Sequence, residues 1–496
     1  MPRPPFIILD EKSDAPLYRQ IYETIRRSIL SGEFRSGSQL PATRLLATQL
    51  GVSRMTVINA YEQLFAEGYL EGKIGAGTFI ASRLPEEFMQ TPIISSNKKK
   101  TKTSPRKLNL SNYGRRVAGN SRPLLRNHGS TDFLPFQHGL GAIEKFPFDI
   151  WSKITQKQLK YTTPHLLGYG EPAGLLHLRM AVASHLRSAR GVRCEVEQII
   201  ITNGAQQALD LIGRILLGQQ DRVWIENPGY LGARDIFRSM GAQIVPIPVD
   251  SEGFNLDHAV KTGNSRLAYV TPSRQFPLGV TMSLSRRLNL LEWARKAESW
   301  IVEDDYDSEY RYAGRPLASL QGLDRDSRVI YIGTFSKTIF PALRLGCLVV
   351  PTDLIEVFTT ARALSDLHSP LIEQAVLADF ISEGHFARHI RRMRMLYEER
   401  QGILVAEVEK QLYGMLEITK ADAGMHLIGW LPEGVCDKIV SQQAAKHRLR
   451  VAPVSTYDLD KPERGGLLLG YTAFDAKQIE AGMKTLANVI KNYRKP

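Results

Sequence analysis

One lysine and one arginine stand in a segment that is otherwise too apolar for a surface loop. Lys337 and Arg344 lie in the stretch TFSKTIFPALRLG, directly after the strand-like run VIYIG. A lysine that is partly desolvated at a strand end has a lowered pKa and can form Schiff bases with aldehydes. The planar fork of the arginine suits a phosphate group. The alternative for any single lysine is a solvated head on a buried stem.

A run of three acids ends another strand-like segment. The stretch WIVEDDYDSEYRY places Glu303, Asp304 and Asp305 side by side, and Tyr306 follows them. Crowded carboxylates at a strand end need a cationic partner. Metal binding is one interpretation, although no histidine or cysteine lies nearby in the sequence. A carboxylate paired with a protonated ring nitrogen is the other.

A third strand-like run ends in a glycine turn. The stretch IIITNGAQQALDLIGRIL passes through Thr202, Asn203 and Gly204 and then opens a helix. Free N–H groups at a helix start favour an anion such as phosphate, whereas a routine strand-to-helix turn is the alternative for this motif alone. With Tyr230 of ENPGY, these motifs supply the amine, carboxylate, phosphate donors and ring face that pyridoxal phosphate needs.

The elements that must position these groups alternate along the chain. Strand-like runs such as RVWIENP, QIVPIPVD and RLAYVTPS are separated by helical stretches. Such alternation predicts a mainly parallel sheet with helices on both faces. Ligands of such sheets bind at the carboxyl ends of the strands, which is where the motifs above fall.

Residues 131–490 resemble the class I and II aminotransferases of fold type I, an α/β fold with a small C-terminal α/β domain from about residue 385. The resemblance implies pyridoxal 5'-phosphate as cofactor, with Lys337 as the Schiff-base lysine. It implies Asp304 as the partner of the pyridine nitrogen, Tyr306 as a ligand of the phenolic oxygen and Tyr230 as the stacking ring. The residues implied for the phosphate are Gly204, Ala205, Gln206, Thr334, Ser336 and Arg344.

Residues 12–82 read as short helices followed by a hairpin. Leu17, Ile21, Ile25 and Ile29 recur every four residues, which predicts one helical face. The stretch LPATRLLATQLGVSRMTVINAYEQLFAEGYL then predicts two helices joined by a tight turn, and GKIGAGTFI predicts a wing of two strands.

This region resembles the winged helices of the GntR type. The resemblance implies double-stranded DNA as a partner and places the start of the second helix of the pair in the major groove. The residues implied for DNA binding are Arg44, Ser53, Arg54, Thr56, Lys73, Gly75 and Gly77.

The positive charge is concentrated between these two regions. The net charge of the chain is +13, and residues 81–130 hold 11 basic and 2 acidic residues, whereas residues 1–80 hold 9 and 8. The range 83–130, with SSNKKKTKTSPRK, lacks periodicity and predicts a basic flexible linker. Contact with a polyanion and simple solvation are both open for this segment alone.

A winged helix joined by a long linker to an aminotransferase-like region is the arrangement of the MocR/GabR regulators. Two departures from the catalytic family favour a sensor over a working transaminase. Leu468 stands where an arginine for the substrate carboxylate is expected, and Arg464 is the candidate substitute. Phe276 stands where the family has an asparagine, and Gln275 is the candidate to take over the function of that asparagine. We therefore expect a regulator that senses an amine, an amino acid or the cofactor itself, with active transamination as the alternative.

Fold type I sites usually form between two subunits, so the resemblance also implies a homodimer that binds paired DNA half-sites. The three cysteines, Cys194, Cys347 and Cys436, show no metal-binding spacing. The sequence shows no apolar run long enough to span a membrane and no secretory signal at its start. We therefore expect a cytoplasmic protein without a metal.

Overall fold

The computed structural model describes residues 7–10, 13–73, 76–85, 109–120, 133–314, 318–460 and 464–493. The chain forms two compact units that divide after residue 108. Most of the predicted linker, residues 86–108 and 121–130, lies outside the described residues.

The first unit consists of three helices and a hairpin. Its elements are α1 (Leu17–Leu30), α2 (Thr43–Leu50), α3 (Arg54–Ala66), β1 (Leu70–Lys73) and β2 (Gly77–Ile80). The two strands pair antiparallel. Three of the four isoleucine and leucine positions predicted for one face of α1, Ile21, Ile25 and Ile29, are buried in the core of this unit.

The turn between α2 and α3 follows from two residues. Gly51 ends α2 in the left-handed conformation, with φ of 67°, which costs glycine little because it lacks a Cβ. Ser53 precedes α3, and its side-chain oxygen accepts a hydrogen bond from the backbone N–H of Thr56 at 3.1 Å. This satisfies one of the free N–H groups at the helix start. The predicted helix-turn-helix and wing are thus present.

The second unit begins with a helix inside the range predicted as linker. Helix α4 (Asn112–Asn120) packs against the helix Leu231–Met240. The guanidinium Nε of Arg116 donates a hydrogen bond to the backbone oxygen of Ser239 at 2.7 Å. The linker prediction is therefore wrong for residues 112–120, because a tertiary contact stabilises a helix that two glycines would disfavour in isolation.

The strands of the second unit form two sheets. The larger has eight strands, and the smaller has four. The strands are β3 (Ile199–Thr202), β4 (Arg222–Asn227), β5 (Gln243–Asp250), β6 (Gly253–Phe254), β7 (Leu267–Val270), β8 (Trp300–Asp305), β9 (Val329–Thr334), β10 (Gly346–Val349), β11 (Glu417–Ile418), β12 (His426–Trp430), β13 (Ala452–Pro453) and β14 (Gly466–Gly470).

Helices follow most of these strands. They are α5 (Phe148–Lys160), α6 (Pro164–Leu167), α7 (Leu176–Arg190), α8 (Ala205–Leu216), α9 (Leu231–Met240), α10 (Leu256–Lys261), α11 (Leu284–Lys296), α12 (Leu320–Leu323), α13 (Ile355–Asp366), α14 (Leu371–Ser382), α15 (His385–Leu412), α16 (Asp437–Lys446) and α17 (Ala476–Tyr493). Short 3-10 turns occur at Ile143–Lys145, Val196–Gln198, Pro341–Leu343, Thr352–Leu354 and Val454–Thr456.

The eight-stranded sheet is mainly parallel, as predicted. Its strand order is β3–β10–β9–β8–β7–β4–β5–β6. The central pairs from β9 to β5 are parallel, while β10 runs antiparallel to both of its neighbours. The carboxyl ends of β3, β9, β8 and β4 therefore meet at one edge of the sheet.

Both faces of this sheet are buried. Along β4, Val223 and Ile225 enter one core cluster, and Trp224 between them enters another. Alternate residues of a strand point to opposite faces, so a hydrophobic layer covers each side. Such a sheet is rigid enough to fix the side chains at its edge.

The C-terminal part of the unit carries the smaller sheet. Its four strands are antiparallel in the order β11–β12–β14–β13. Among the described residues, no helix is long and apolar enough to cross a membrane.

Candidate functional site

Lys337 lies three residues beyond the end of β9, at the edge where the sheet strands converge. Its side-chain Nζ donates a hydrogen bond to the backbone oxygen of Gly139 at 2.9 Å. Burial lowers the pKa of the Lys337 amine below its ordinary value. A lowered pKa increases the neutral, nucleophilic fraction of the amine. Lys337 thus lies buried near a strand end with a lowered pKa, and its role as the Schiff-base lysine stays a prediction.

The three acids at the end of β8 have different surroundings. Glu303 accepts hydrogen bonds at 2.8 Å from the backbone N–H groups of Leu320 and Gln321. Asp305 is paired with the buried Arg190 at 2.8 Å. Burial acts to raise the pKa of Asp305, but Arg190 and neighbouring hydroxyl groups outweigh it and the net pKa is lowered. Both oxygens of Glu303 and Oδ2 of Asp305 are thus bonded within the protein, while Oδ1 of Asp305 is buried without a hydrogen-bond partner among the described residues.

Asp304 differs from Asp305 in having no arginine paired with its carboxylate among the described residues. One carboxylate oxygen, Oδ2, accepts a hydrogen bond from the hydroxyl of Tyr269 at 2.7 Å. The other, Oδ1, is buried and has no hydrogen-bond partner among the described residues. Burial raises the pKa of Asp304 to about 6. A buried acceptor without a partner costs free energy, and a protonated ring nitrogen would satisfy it.

The predicted phosphate residues gather around the start of α8. Gly204 precedes this helix with φ of 90°, and a Cβ at Gly204 would lie 3.2 Å from Nη2 of Arg344. That same Nη2 donates to the backbone oxygen of Asn203 at 2.8 Å. Arg344 thus lies directly against the turn, which leaves no room for a larger residue at Gly204.

Two hydroxyl residues complete this corner. The side-chain oxygen of Thr334 accepts a hydrogen bond from the backbone N–H of Ser336 at 3.2 Å. The Ser336 Oγ is buried and has no hydrogen-bond partner among the described residues. With the free N–H groups that follow Gly204 at Ala205 and Gln206, this corner is suited to an anion.

Tyr230 and Tyr306 both contact the ring of Phe276. The Tyr230 hydroxyl accepts a hydrogen bond from Nε2 of Gln206 at 2.5 Å, and burial raises the pKa of Tyr230 to about 12. The ring of Phe276 meets Tyr230 and Tyr306 edge to face, with centroids 6.0 and 5.9 Å apart. The structure therefore brings both predicted tyrosines to one site.

The departures from the catalytic pattern are also visible. Leu468 is fully buried in a cluster with Leu231, Ile428, Val454 and Tyr457. Arg464 does not replace it: its Nη1 pairs with Glu417 at 2.7 Å, and its Nε donates to a backbone oxygen.

Gln275 likewise has its polar atoms engaged. Its Nε2 donates to the backbone oxygens of Pro228 and Phe276 at 2.8 and 2.6 Å. Its Oε1 accepts a hydrogen bond from the backbone N–H of Leu278 at 3.0 Å. The amide of Gln275 therefore holds its own loop together.

Sequence reasoning missed three contributors to this site. Gly139 contributes a backbone oxygen and so carries no side-chain signal. Tyr269 lies within the apolar run of β7, where it reads as a core residue. Arg274 is buried, with Nη1 3.4 Å from the Tyr306 hydroxyl and 3.5 Å from Asp307; a charged residue in TPSRQFPLG was the one available signal.

The predicted DNA residues lie on the first unit. Arg44 and Arg54 are exposed, Thr56 is half-buried, and Ser53 is exposed while its Oγ caps α3. Lys73 is exposed beside the Phe79 ring, 5.0 Å from its centroid. Gly77 has φ of 108°, and Gly75 lies outside the described residues. The structure brings Ser53, Arg54 and Thr56 together at the start of α3.

Family models match both units of the chain. The model described as "Aminotransferase class I and II" matches residues 142–471. The model described as "Bacterial regulatory proteins, gntR family" matches residues 17–80.

Individual proteins match across both units. The chain is 41% identical over 480 residues to the probable rhizopine catabolism regulatory protein MocR of Rhizobium meliloti, covering 97% of this chain and 95% of that protein. It is 32% identical to the pyridoxine biosynthesis transcriptional regulator PdxR of Corynebacterium glutamicum, covering 95% of each chain.

Solved structures match the second unit. The kynurenine aminotransferase of Pyrococcus horikoshii has a TM-score of 0.69 at 31% identity, covering 76% of this chain and 95% of its own. A multiple substrate aminotransferase from Thermococcus profundus has a TM-score of 0.70 at 30% identity, covering 77% and 97%.

Proposed function

The chain belongs to the MocR-type transcriptional regulators, in which a GntR-family winged helix is joined to a class I and II aminotransferase domain, and we propose that an amine at Lys337 controls its binding to DNA. It is a DNA-binding regulator that depends on pyridoxal phosphate, with the fold type I architecture that the sequence predicted. The observation that carries the proposal is the buried Lys337 amine at a strand end, with buried oxygens of Asp304 and Ser336 that have no hydrogen-bond partner among the described residues.

The residues at this site fit the cofactor. When bound, pyridoxal phosphate supplies an aldehyde that condenses with amines. Lys337 would hold it covalently, and Asp304 Oδ1 would accept the proton of the ring nitrogen. Ser336, Arg344 and the turn at Gly204 would bind the phosphate, with Ala205, Gln206 and Thr334 beside them. Tyr230 would cover a ring face, and Tyr306 would lie near the phenolic oxygen, where Arg274 contacts it.

Sensing is favoured over turnover by the two positions where a clamp for the substrate carboxylate was sought. Arg464, the substitute considered for a carboxylate clamp, is held by Glu417, and Leu468 is enclosed in an apolar cluster. Poor positioning of a substrate can cost a reaction several kcal/mol. Lys337 is still present, so an amine can bind at the cofactor. Without a group that positions the substrate, the later proton transfers of transamination are not supported.

Active transamination remains a second candidate, because Lys337, Asp304 and Tyr230 are all present. Its test is a single-turnover reaction between the cofactor-loaded protein and an amino acid. A regulator without turnover produces no keto acid within hours, whereas an aminotransferase converts stoichiometric amounts within seconds to minutes.

The surface of the second unit supports a homodimer. Tyr161, Leu167, Tyr169 and Leu364 are 65–87% exposed. The rings of Tyr169 and His368 lie 6.4 Å apart, so the segments 159–169 and 364–368 form one apolar surface. Large exposed apolar surfaces mark interaction sites. A second copy of this chain would cover this surface and place two winged helices on paired half-sites.

Substitution of two exposed residues tests the dimer. Tyr169→Lys with Leu364→Lys should produce a monomer in light scattering, while Tyr413→Lys, at another exposed tyrosine (87% exposed), should leave the mass unchanged. A wild-type protein that is already monomeric at micromolar concentration would contradict this part of the proposal.

A DNA titration tests the main proposal. An operator is first selected from random duplexes with the cofactor-loaded protein, and binding is then measured by fluorescence anisotropy with and without cofactor and amines. We expect the affinity of the wild type to change with cofactor or amine, and that of Lys337→Ala to be insensitive to both. Arg54→Ala serves as the control that weakens DNA binding without altering cofactor binding. Equal operator affinity under all these conditions would contradict the proposal.

A further inference from the structure

A group of aromatic rings surrounds Phe276 beside the predicted cofactor site. We call Phe276 and the five rings that contact it the aromatic cluster; its other members are His138, Tyr230, Tyr306, His426 and Tyr457. Their centroids lie 5.1–6.0 Å from that of Phe276. Lys337 adjoins this cluster, because its amine is bonded to Gly139 and His138 is the preceding residue.

An apolar layer lies behind the cluster. Leu231, Ile428, Val454 and Leu468 are buried with Tyr457, and Phe276 packs against them. Leu468 is paired in register with Ile428 of β12 and Ala452 of β13. This wall is therefore apolar across three strands of the smaller sheet.

The cations near this wall already have partners. The Arg274 Nε donates to the backbone oxygen of Ala423 at 3.1 Å, and its Nη2 donates to that of His426 at 2.6 Å. Its Nη1 faces Tyr306 and Asp307. His426 supplies no charge, because burial and then Arg274 lower the pKa of its imidazole well below the ordinary value.

A carboxylate on the amine-bearing carbon would be desolvated against this wall, where Arg274 is held by two backbone oxygens and its Nη1 faces the carboxylate of Asp307. Burial of an unpaired carboxylate is strongly unfavourable, whereas burial of an aryl or alkyl group against rings is favourable. The wall therefore discriminates between amines and the corresponding α-amino acids.

We propose that the amine sensed at Lys337 is a primary amine with no carboxylate on its amine-bearing carbon and with an apolar or aromatic substituent that packs on the aromatic cluster. This inference rests on the proposed function, since it names the class of ligand for the same site. The rings of the cluster provide the contact surface, and the buried layer behind them, Leu468 included, provides no charge for a carboxylate.

Matched pairs of compounds test it. The cofactor-loaded protein is titrated with tyramine and L-tyrosine, and with ethylamine and L-alanine, while its visible spectrum is recorded. We expect half-saturation at concentrations at least about tenfold lower for the carboxylate-free member of each pair. Equal or tighter binding of the amino acids would overturn the inference. A spectrum that none of the four compounds changes would also overturn it.

Variants at Leu468 sharpen the test. Leu468→Arg should reverse the order within each pair, while the matched control Leu468→Met should keep it. If Leu468→Arg does not fold, the wild-type pairs still decide the matter. Failure of the proposed function looks different: a protein that takes up no cofactor shows no visible band before any amine is added.

Discussion

The predicted cofactor site and the region around Phe276 differ in how their polar side chains are hydrogen-bonded within the chain. On the cofactor side, Asp304 and Ser336 each bury an oxygen that has no partner among the described residues. Near Phe276, Arg274 and Gln275 donate hydrogen bonds to backbone oxygens and Leu468 lies in an apolar cluster, while Oδ1 of Asp307 is buried without a hydrogen-bond partner among the described residues. Buried polar atoms without partners destabilise a fold unless a ligand satisfies them. We therefore expect a ligand to satisfy the buried oxygens of Asp304 and Ser336, whereas the fold itself holds the side chains of Arg274 and Gln275.

The largest expected effect separates two adjacent carboxylates. Asp305→Asn should lower the free energy of unfolding of the cofactor-free protein by about 3–5 kcal/mol, because it leaves Arg190 buried without its charged partner. Asp304→Asn should instead raise it by about 1–3 kcal/mol at pH 8, because it removes a buried charge with a raised pKa. Thermal or chemical unfolding of both variants measures the difference.

The pH dependence gives the sign of the Asp304 effect. The pKa of Asp304 is raised to about 6, so the folded protein binds this proton more tightly than the unfolded chain does. The ionised form therefore destabilises the fold at pH 8, and this penalty shrinks as the pH falls below about 6 and is gone below about 4, the ordinary pKa of an aspartate. The advantage of Asp304→Asn should shrink over the same range. An equal loss of stability in both variants would contradict the comparison.

The next effect concerns the cofactor. Asp304→Asn should weaken the binding of pyridoxal phosphate by about 1.5–3 kcal/mol, roughly tenfold to a hundredfold, because it removes the charged acceptor for the ring nitrogen. Absorbance titration measures the dissociation constant. Leu468→Met, in the apolar cluster near Phe276, is the control and should leave this constant within about twofold.

These predictions depend on residues that the sequence could place and on others that it could not. Lys337, Asp304 and Gly204 stand at strand ends, and strand ends can be read from local periodicity. Ser53 and Gly51 are helix caps, which are also local signals. The Gly139 carbonyl and the Tyr269 hydroxyl reach the site from segments 198 and 35 residues away from their partners. The pairing of distant segments follows from the tertiary fold, which local patterns do not specify.

A smaller effect is expected at the phosphate corner. Ser336→Ala should weaken cofactor binding by about 1–1.5 kcal/mol through the loss of one hydrogen bond. It should not lower the stability of the cofactor-free protein, because the Ser336 hydroxyl has no hydrogen-bond partner there among the described residues. The two quantities come from absorbance titration and from thermal unfolding. A clear loss of stability in the cofactor-free variant would mean that this hydroxyl belongs to the fold.

The smallest effect lies in the winged helix, where the corresponding polar group is satisfied. Ser53→Ala should destabilise the first unit by about 1 kcal/mol, because Ser53 caps α3. Ser53→Gly should lower the free energy of unfolding by only about a few tenths of a kcal/mol. Chemical unfolding followed by circular dichroism measures both. The Ser53 hydroxyl would then contribute to the stability of the first unit, whereas the Ser336 hydroxyl would contribute to cofactor binding and not to stability.

The visible absorption spectrum of the purified protein with pyridoxal phosphate, recorded beside that of Lys337→Ala, tests the central claim most directly. The account predicts a yellow band in the wild type that borohydride erases while adding the mass of the cofactor to the peptide containing Lys337, and no such band in the variant. A colourless wild type that cannot be loaded with cofactor, or a variant that labels equally well, would contradict the assignment of Lys337 as the cofactor's anchor.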